Sequence, residues 1–298
     1  MGKIIAVDIG NSNIVVGIWN GPSLEFTGRL QTRRDYSEKE LREDLAELIN
    51  EDVCDKGKAY EGAILSSVVP EITDVTMNVL ENIIGKRPLL MGPFLCTGID
   101  LSEYAEGAIG MDRIVDVSAA VAMYGAPVMV CDLGTCTTIT VAVKSSSNDK
   151  PKENGKIIGG MICAGIQLSL DAQAERASQL PELQAGEAIS LLGKDTASNM
   201  MSGAVAGSGL MISELADRLM DGYHDFSMGK ELCPGCQASG PSEDMSELKV
   251  VITGGNAKFV IPWIKCKANA YYEQNLLLRG LCEIYKMNTD RSEDRNSW

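Results

Sequence analysis

The sequence is poor in histidine, in positive charge and in long apolar runs, and each shortage excludes a class of function. His224 is the single histidine among 298 residues, so acid–base chemistry has to use a carboxylate or a lysine instead. Only 27 lysines and arginines face 41 acidic residues, a net charge of −14 that argues against a nucleic-acid surface. No apolar run approaches the roughly 20 residues of a membrane span, and the first residues do not fit a secretory signal. We therefore expect a cytoplasmic protein with neither a nucleic-acid nor a membrane partner.

The nine cysteines form no recognisable framework either. An odd number of scattered thiols indicates reduced intracellular cysteines rather than disulfides. Cys233 and Cys236 are the one close pair, but a structural zinc site needs four ligands and the sequence has no second pair with this spacing. The pair therefore favours a loop within the polar segment 222–247 over a zinc site.

One short pattern occurs twice: an apolar strand, an aspartate, a glycine turn and a second apolar strand. The copies are residues 4–18 (IIAVDIGNSNIVVGI) and 128–141 (VMVCDLGTCTTITV), and their aspartates are Asp8 and Asp132. β-Prone runs on both sides of a glycine turn predict a hairpin with its acidic residue at the mouth. Two copies of one hairpin predict two related domains, which suits a chain of this length.

Helical and strand patterns alternate through the rest of the chain and predict an α/β fold. The expected helices are 36–50, 73–84, 112–124, 166–178, 196–219 and 275–286, and the expected strands outside the hairpins are 63–70, 88–91 and 249–255. Polar stretches at 145–155 and 222–247 predict loops.

Both hairpin turns offer groups that suit phosphate. Gly10–Asn13 and Gly134–Thr137 expose backbone N–H groups together with small hydroxyl or amide side chains, which bind phosphate oxygens. An aspartate beside a polyphosphate repels it unless a cation lies between them, so Asp8 and Asp132 indicate Mg²⁺-dependent phosphoryl transfer. The alternative is an aspartate that merely caps a turn, and the repeat makes it less favoured. Neither a Walker A nor a Rossmann motif follows Asp8.

Thr253, Gly254 and Gly255 add a third turn that lets a ligand approach the backbone. Together with the two D-x-G-x-x turns, it resembles the actin, Hsp70 and sugar-kinase superfamily, in which ATP lies in a cleft between two ribonuclease-H-like domains. Within that superfamily the chain resembles type III pantothenate kinases over nearly its whole length. The stretches that carry the resemblance are DIGNSNIVVGI, SSVVP, GMDRIVDVSAAVAMYG, DLGTCTTI, GGMICAG, LSLDA, ERASQLP, LGKDTASNMMSGAVAG, VITGG and LLLRGLCEIYKMN.

The resemblance implies an α/β protein of two ribonuclease-H-like domains, each a mixed sheet flanked by helices, with the ATP cleft between them. We expect these domains at 1–123 and 124–298, the second with insertions near 145–155 and 222–247. The implied reaction transfers the γ-phosphate of ATP to the hydroxyl of pantothenate, which yields 4′-phosphopantothenate in the first step of coenzyme A biosynthesis. The implied cofactors are Mg²⁺ and a monovalent cation, K⁺ or NH₄⁺, and the implied assembly is a homodimer.

Site residues follow from the resemblance position by position. Asp112 in G-M-D-R is the implied general base, and the Arg113 guanidinium is suited to hold the pantothenate carboxylate. Asp132 is the implied ligand of the monovalent cation, and Asp8 the implied partner of Mg²⁺ through the phosphates. The implied ATP contacts are Asp8, Ile9, Gly10, Asn11, Ser12, Asn13, Ile14, Val15 and Thr135. The implied substrate contacts are Tyr104, Gly110, Met111, Asp112, Arg113 and Thr196. A helix N-cap beside a surface arginine is the alternative for Asp112 and Arg113.

One loop departs from the family pattern. Glu103 stands where the family has a substrate tyrosine, Tyr104 comes one residue later, and Ala105–Gly107 lacks the expected Asn-Pro pair. The loop that shapes the pantothenate pocket is therefore expected to differ. Two alternatives stay open: a degenerate nucleotide-binding paralogue with an accessory or regulatory role, and a kinase of another small hydroxy acid. The retained Asp8, Asp112 and Asp132 favour an enzyme, whereas the altered loop at Glu103–Gly107 keeps both alternatives open.

Overall fold

The computed structural model describes residues 2–49, 60–105, 107–145, 154–221 and 244–289. Cys233 and Cys236, and most of the loops expected at 145–155 and 222–247, lie outside these residues. The described chain combines helices with two sheets. Within it, every helix is too short or too polar to span a bilayer.

Strands and helices alternate along the described chain, as the sequence predicts. The strands are β1 (Lys3–Ile9), β2 (Asn13–Asn20), β3 (Ser23–Gln31), β4 (Tyr60–Ser67), β5 (Leu89–Leu90), β6 (Ile99–Asp100), β7 (Val128–Leu133), β8 (Cys136–Lys144), β9 (Gly155–Ala164), β10 (Lys249–Thr253) and β11 (Asn269–Tyr272). The helices are α1 (Glu38–Ile49), α2 (Pro70–Ile84), α3 (Met111–Tyr124), α4 (Ile166–Arg176), α5 (Thr196–Met201), α6 (Gly207–Met220), α7 (Ala257–Val260) and α8 (Leu276–Thr289). A π-helical turn (Ser202–Ala206) joins α5 to α6, and a 3-10 turn (Ile261–Trp263) follows α7.

One strand order is used in both sheets. The first sheet runs β3-β2-β1-β4-β5, and the second runs β9-β8-β7-β10-β11 with β6 added beside β9. In each sheet the strand with the aspartate, β1 or β7, is antiparallel to the next strand and parallel to a later one. Both predicted hairpins are therefore confirmed, and each forms the centre of a mixed sheet with helices packed on it. The predicted α/β fold class is confirmed with them.

The chain divides into two compact units that interleave along the sequence. The first contains Met1–Gly98, Glu106–Ala119 and Leu276–Trp298, and the second contains Ile99–Ala105 and Ala120–Asn275. This division differs from the domains expected at 1–123 and 124–298, chiefly because α8 follows the second unit in the chain yet belongs to the first.

Helix α8 belongs to the first unit because one of its faces is apolar and fits the first sheet closely. Its buried leucines and Tyr285 pack with Ile4 of β1 and Ile64 of β4. Tyr285 lies over Gly62, where a Cβ atom would collide with the phenol ring. The Tyr285 hydroxyl donates to the carbonyl of Glu61 at 3.2 Å. Burial of this face places the end of the described chain on the first sheet.

Alternation of side chains along β1 gives the first sheet two buried faces. Val7 and Ile9 point to the face that α1 and α2 cover. Ala6 points to the other face, where it packs with α8 and with Val115 of α3. Asp8 is the next residue in this second series and is only half-buried. The aspartate therefore stands at the end of the strand on the α3 side of the sheet.

Two predicted elements have different limits in the structure. The strand expected at 63–70 ends at Ser67, because Pro70 begins α2 and proline is favoured at the start of a helix, where its missing N–H group is not needed. The single helix expected at 196–219 contains the π-helical turn, where Ser202 Oγ donates to the Ser190 carbonyl at 2.7 Å.

Candidate functional site

The turn between β1 and β2 is held by its carbonyl groups. Gly10 N donates to the Asn13 carbonyl at 2.9 Å, which closes the turn. Thr32, directly after β3, fastens it from outside: its backbone N donates to the Ser12 carbonyl at 3.1 Å and its Oγ1 to the Gly10 carbonyl at 2.7 Å. The side chains of Asn11 and Ser12 remain exposed. Of the donors that the sequence assigns to phosphate, the Gly10 N–H is used to close the turn, whereas the contacts from Thr32 use only carbonyl groups of the turn.

The predicted ATP contacts in Asp8–Val15 divide by burial. Ile9 and Ile14 are fully buried in the core beneath α1 and α2, so only their backbone groups can meet a ligand. Asn11 and Ser12 are exposed, and their amide and hydroxyl groups can donate hydrogen bonds. The side chains of the turn that can donate to phosphate are therefore those of Asn11, Ser12 and the half-buried Asn13, beside the backbone N–H groups.

The turn between β7 and β8 is fastened by two other segments of the second unit. Gly165 N donates to the Thr135 carbonyl at 3.1 Å. Asn256, which follows β10, donates from its backbone to the Leu133 carbonyl at 3.0 Å and from its side-chain amide to the Gly134 carbonyl at 3.2 Å. Thr135 itself is exposed. As in the first turn, the protein binds the carbonyls and the predicted ATP contact faces solvent.

Asp132 lies at the end of β7 against a glycine that the fold requires. Gly254 has a φ of +94°, and a Cβ atom there would collide with Asp132 Oδ1 and with the backbone of Leu133. The residues in register with Asp132 are both threonines, Thr138 on β8 and Thr253 on β10. The carboxylate therefore has a hydroxyl-bearing neighbour on each side, and the glycine turn after β10 packs directly against it.

Asp112 lies in the first turn of α3, one residue after the helix begins at Met111. Its Oδ1 accepts a hydrogen bond from Arg113 N at 2.9 Å. A Cβ atom on Gly110 would collide with that oxygen, so this glycine makes room for the carboxylate. Ile114 N donates to the Gly110 carbonyl at 3.3 Å, which makes Gly110 rather than Asp112 the residue that caps the helix.

Asp8 and Asp112 belong to the same side of the first unit. Helix α3 contacts the first sheet through Met111 and Val115, which pack on the cluster that contains Ala6. Asp8 follows Ala6 by two residues on the same strand, so both point to the same face. The carboxylate expected beside the phosphates therefore lies on the face of the sheet that is covered by α3, the helix that carries the expected base Asp112.

The loop 101–105 after β6 is anchored within the second unit. Tyr104 N donates to the Leu101 carbonyl at 2.8 Å, and the Tyr104 side chain is half-buried. Glu103, which stands where a tyrosine is expected, forms an ion pair with Lys156 of β9, with 2.7 Å between Oε1 and Nζ. Glu103 is thus held by an ion pair that a tyrosine at this position could not form.

Thr196 is the first residue of α5 and is exposed. The preceding Asp195 accepts from Ser198 N at 2.8 Å, while Ser198 Oγ accepts from Asp195 N at 3.1 Å, a reciprocal capping arrangement. These hydrogen bonds, foremost the one from the Ser198 backbone, hold the pKa of Asp195 below its usual value. Gly193 packs against the backbone of Ser198 and Asn199, where a Cβ atom would collide. Thr196 is therefore presented from a firmly fixed helix start.

Within the described ranges, no three His, Cys, Asp or Glu side chains are arranged to hold a metal ion together. A cation at Asp8 or Asp132 would therefore need further oxygen ligands from hydroxyl or backbone groups, phosphate or water, and Mg²⁺ usually keeps several waters and phosphate oxygens in proteins. The surroundings fit such hard cations, because a hydroxyl residue lies in register with each aspartate: Ser66 beside Asp8, and Thr253 beside Asp132.

The predicted site residues are distributed over both units. Asp8–Val15 and Gly110–Arg113 lie in the first, and Tyr104, Asp132, Thr135 and Thr196 lie in the second. Sequence reasoning missed the residues that hold the turns. Asn256 carries a usable signal, because it directly follows the Gly254-Gly255 pair. Thr32 carries none, because its contact depends on where β3 ends.

Comparison with known proteins decides the family. The model of the type III pantothenate kinase family matches residues 4–218, which include both aspartate turns and the G-M-D-R motif. The chain belongs to the type III pantothenate kinase family.

Relatives within this family match almost end to end. A type III pantothenate kinase of Moorella thermoacetica is 30% identical over 286 residues, which cover 96% of this chain and 100% of the relative. The enzyme of the same name from Brevibacillus brevis is 31% identical over 288 residues, which cover 96% of this chain and 99% of the relative. Among solved structures, a protein of Campylobacter jejuni described as a Baf family transcriptional activator matches with a TM-score of 0.55 at 17% identity, over 96% of this chain and 99% of that one. That likeness concerns the fold alone.

Proposed function

We propose that this chain transfers the γ-phosphate of ATP to the hydroxyl of pantothenate and so performs the first step of coenzyme A biosynthesis. The observation that carries the proposal is that Asp8 lies on the face of the first sheet that α3, the helix of Asp112, covers. The match of the chain to the type III pantothenate kinase family spans residues 4–218. A phosphoryl-transfer enzyme needs both a phosphate-binding turn and a group that accepts the proton of the attacking hydroxyl.

Asp112 is the proposed general base. Its carboxylate lies in the first turn of a helix, where Gly110 leaves it space, and a carboxylate in such a place can accept the proton of the pantothenate hydroxyl. Arg113, the next residue, is the proposed partner of the pantothenate carboxylate, because a guanidinium binds a carboxylate through two parallel hydrogen bonds. Tyr104 and Thr196 are the further proposed substrate contacts.

The two aspartate turns are the proposed phosphate and cation sites. Asn11, Ser12 and Thr135 are exposed and donate to phosphate oxygens in this proposal, together with the backbone N–H groups of both turns. Asp8 holds Mg²⁺ through the phosphates, and Asp132 binds K⁺ or NH₄⁺. The cations neutralise the charge of the transferring phosphoryl group.

We further propose that the chain works in the cytoplasm as a homodimer. The second unit carries a set of large apolar side chains that are exposed in the single chain, and such surfaces commonly form interfaces. They are Ile158, Met161, Ile162, Leu168, Ile189, Leu191, Leu192 and Leu210. Light scattering coupled to size-exclusion chromatography measures the mass, and a mass of one chain at micromolar concentration contradicts the dimer.

A coupled assay of ADP release tests the activity. The protein is incubated with ATP, Mg²⁺, pantothenate, and either K⁺ or NH₄⁺, and each component is omitted in turn. We expect turnover only in the complete mixture, and mass spectrometry should detect phosphopantothenate. Normal ATP binding without turnover on pantothenate contradicts the proposal, and turnover on another small hydroxy acid would redirect it.

A further inference from the structure

The strand that lies parallel to β1 carries a serine beside Asp8. Ser66 of β4 is in register with Asp8, and neighbouring strands lie about 4.8 Å apart. Both residues continue the series that faces α3 and α8, because Ala6 and Ile64, two residues earlier on each strand, belong to that buried cluster. The Ser66 hydroxyl and the Asp8 carboxylate are thus side by side on one face of the sheet.

The Ser66 hydroxyl is buried, and no described residue forms a hydrogen bond with it. The residue is 1% exposed, and its Oγ finds no partner among the residues that the structure describes. A buried hydroxyl in this condition costs free energy, so a fold that needs only packing would favour alanine here. The buried hydroxyl therefore indicates a hydrogen bond that forms only when a ligand binds.

The adjacent serine has the opposite character. Ser67 Oγ donates to the Val69 carbonyl at 3.3 Å and accepts from Val69 N at 3.2 Å and from Thr73 Oγ1 at 2.8 Å. These contacts tie the end of β4 to the start of α2. Ser67 is accordingly explained by the fold, whereas Ser66 is not.

The second unit repeats the arrangement. Thr253 of β10 is in register with Asp132, just as Ser66 is with Asp8, and it is 5% exposed. A hydroxyl residue therefore occupies the parallel neighbour of the acidic residue in both sheets. Because the two stretches otherwise differ, SSVVP against TGGNA, packing alone does not account for the coincidence.

We propose that Ser66 is a positioning residue for the Mg²⁺ site, an inference that rests on the proposed kinase function. When ATP and Mg²⁺ are bound, the Ser66 hydroxyl donates to one oxygen of the Asp8 carboxylate. That hydrogen bond orients the carboxylate so that its other oxygen is directed to the cation and its water ligands. Ser66 touches neither nucleotide nor pantothenate and acts through Asp8.

The test compares Ser66→Ala with Ser67→Ala in the full chain. The first readout is the melting temperature without nucleotide or Mg²⁺. Ser66→Ala should melt at or above the temperature of the unmodified protein, because it removes a hydroxyl that has no partner among the described residues, whereas Ser67→Ala should melt lower.

The second readout is the Mg²⁺ concentration that gives half of the thermal stabilisation by saturating ATP. We expect this concentration to rise about tenfold in Ser66→Ala, as loss of a hydrogen bond to a charged group implies, and to stay unchanged in Ser67→Ala.

Two results overturn the inference while leaving the kinase function intact. In the first, ATP and Mg²⁺ stabilise both the unmodified protein and Ser66→Ala, and the Mg²⁺ concentration for half of the stabilisation is the same in both. The other is a Ser66→Ala variant that, without ligand, loses as much thermal stability as Ser67→Ala, which would make the hydroxyl a structural group. If ATP and Mg²⁺ fail to stabilise the unmodified protein, the proposed function and this inference fall together.

Discussion

The two aspartate turns share one strand plan, yet they have different neighbours. Asp8 has an aliphatic residue on one side, Val15, and a buried serine on the other, Ser66. Asp132 has threonines on both sides. The common strand order brings an aspartate and a glycine turn to the same place in each sheet. The residues on the adjacent strands differ, and they determine which groups surround each carboxylate. In the function proposed above, Asp132 with its two hydroxyl neighbours binds a cation directly, whereas Asp8 shares its cation with phosphate.

The two turns also differ in how they are fastened. Thr32 binds the first turn through two hydrogen bonds, and Arg34 donates to Asn11 Oδ1 at 3.4 Å. Val68, directly after β4, donates from its backbone N to the Ile9 carbonyl at 3.0 Å, just before the turn. The second turn is held by Gly165 and Asn256 and is in contact with Gly254. The first turn is therefore held by the segments that follow β3 and β4, and the second by the segments that follow β9 and β10. The following predictions test the comparison between the two units, from the largest expected effect to the smallest.

The largest difference between the two units is Asp112, because the G-M-D-R motif occurs only in the first unit and has no copy in the second. Replacement Asp112→Asn should lower turnover about 10²- to 10⁴-fold, the usual contribution of a general base. The melting temperature and the stabilisation by ATP should stay close to those of the unmodified protein, because the amide keeps the shape of the carboxylate. Near-full activity in the folded variant would refute Asp112 as the base.

Gly254 tests the packing against Asp132. Gly254→Ala forces a side chain into a backbone with positive φ and into contact with the Asp132 carboxylate, so we expect a loss of about 1–3 kcal/mol or more in the free energy of unfolding. The K⁺ needed for half-maximal activity should rise as well. Gly255→Ala is the matched control, because open space surrounds that position and its φ is not positive. Equal effects at both positions would contradict a specific role of Gly254.

Paired variants compare the fastening of the two turns. Asn256→Ala removes the 3.2 Å hydrogen bond to Gly134, and Thr32→Val removes the 2.7 Å hydrogen bond to Gly10. Each should lower the free energy of unfolding by about 1 kcal/mol. Each should also raise the KM for ATP several-fold with a smaller change in kcat, since a loosened turn presents its donors less well. Urea unfolding and steady-state kinetics measure both effects, and an unchanged KM in one variant would confine phosphate binding to the other turn.

The Glu103–Lys156 pair should matter least for stability. Its side chains are 56% and 25% exposed, and ion pairs of this kind contribute at most about 1 kcal/mol. Glu103→Gln should therefore change the melting temperature little but alter the KM for pantothenate, because it frees the loop 101–105. The double variant with Lys156→Gln should behave like either single variant. If both single variants and the double variant have the KM for pantothenate of the unmodified protein, the loop 101–105 does not contribute to substrate binding.

The hairpins were predictable because their pattern is local and repeated. An apolar run, an acid and a glycine turn are read from consecutive residues, and the second copy removes the ambiguity of the first. The family resemblance was likewise predictable, because its motifs lie at short spacings in the chain. The limits of α2 and the interruption of the helix at 196–219 were missed, since they depend on Pro70 at a helix start and on the contact of Ser202 with a preceding segment.

The remaining features depend on contacts between distant residues. Strand β9 escaped prediction because its glycines interrupt the apolar run and its residues do not alternate between polar and apolar, the pattern that marks a strand. The place of α8 depends on the fit of Tyr285 over Gly62, which are 223 positions apart in the numbering. The role proposed for Ser66 needed the register between β1 and β4, and a hydroxyl that has no hydrogen-bond partner within the described part of the chain. Neither is encoded in any short stretch of sequence.

The position of α8 has a consequence for how the chain is made. The first sheet emerges from the ribosome early, but the helix that covers Ile4, Ala6 and Ile64 is synthesised after the whole second unit. During translation this apolar face stays uncovered until residues 276–289 are synthesised. The first unit therefore starts to form first but is completed last. Nascent chains arrested before residue 276 should therefore bind chaperones through the first sheet, and full-length chains should release them.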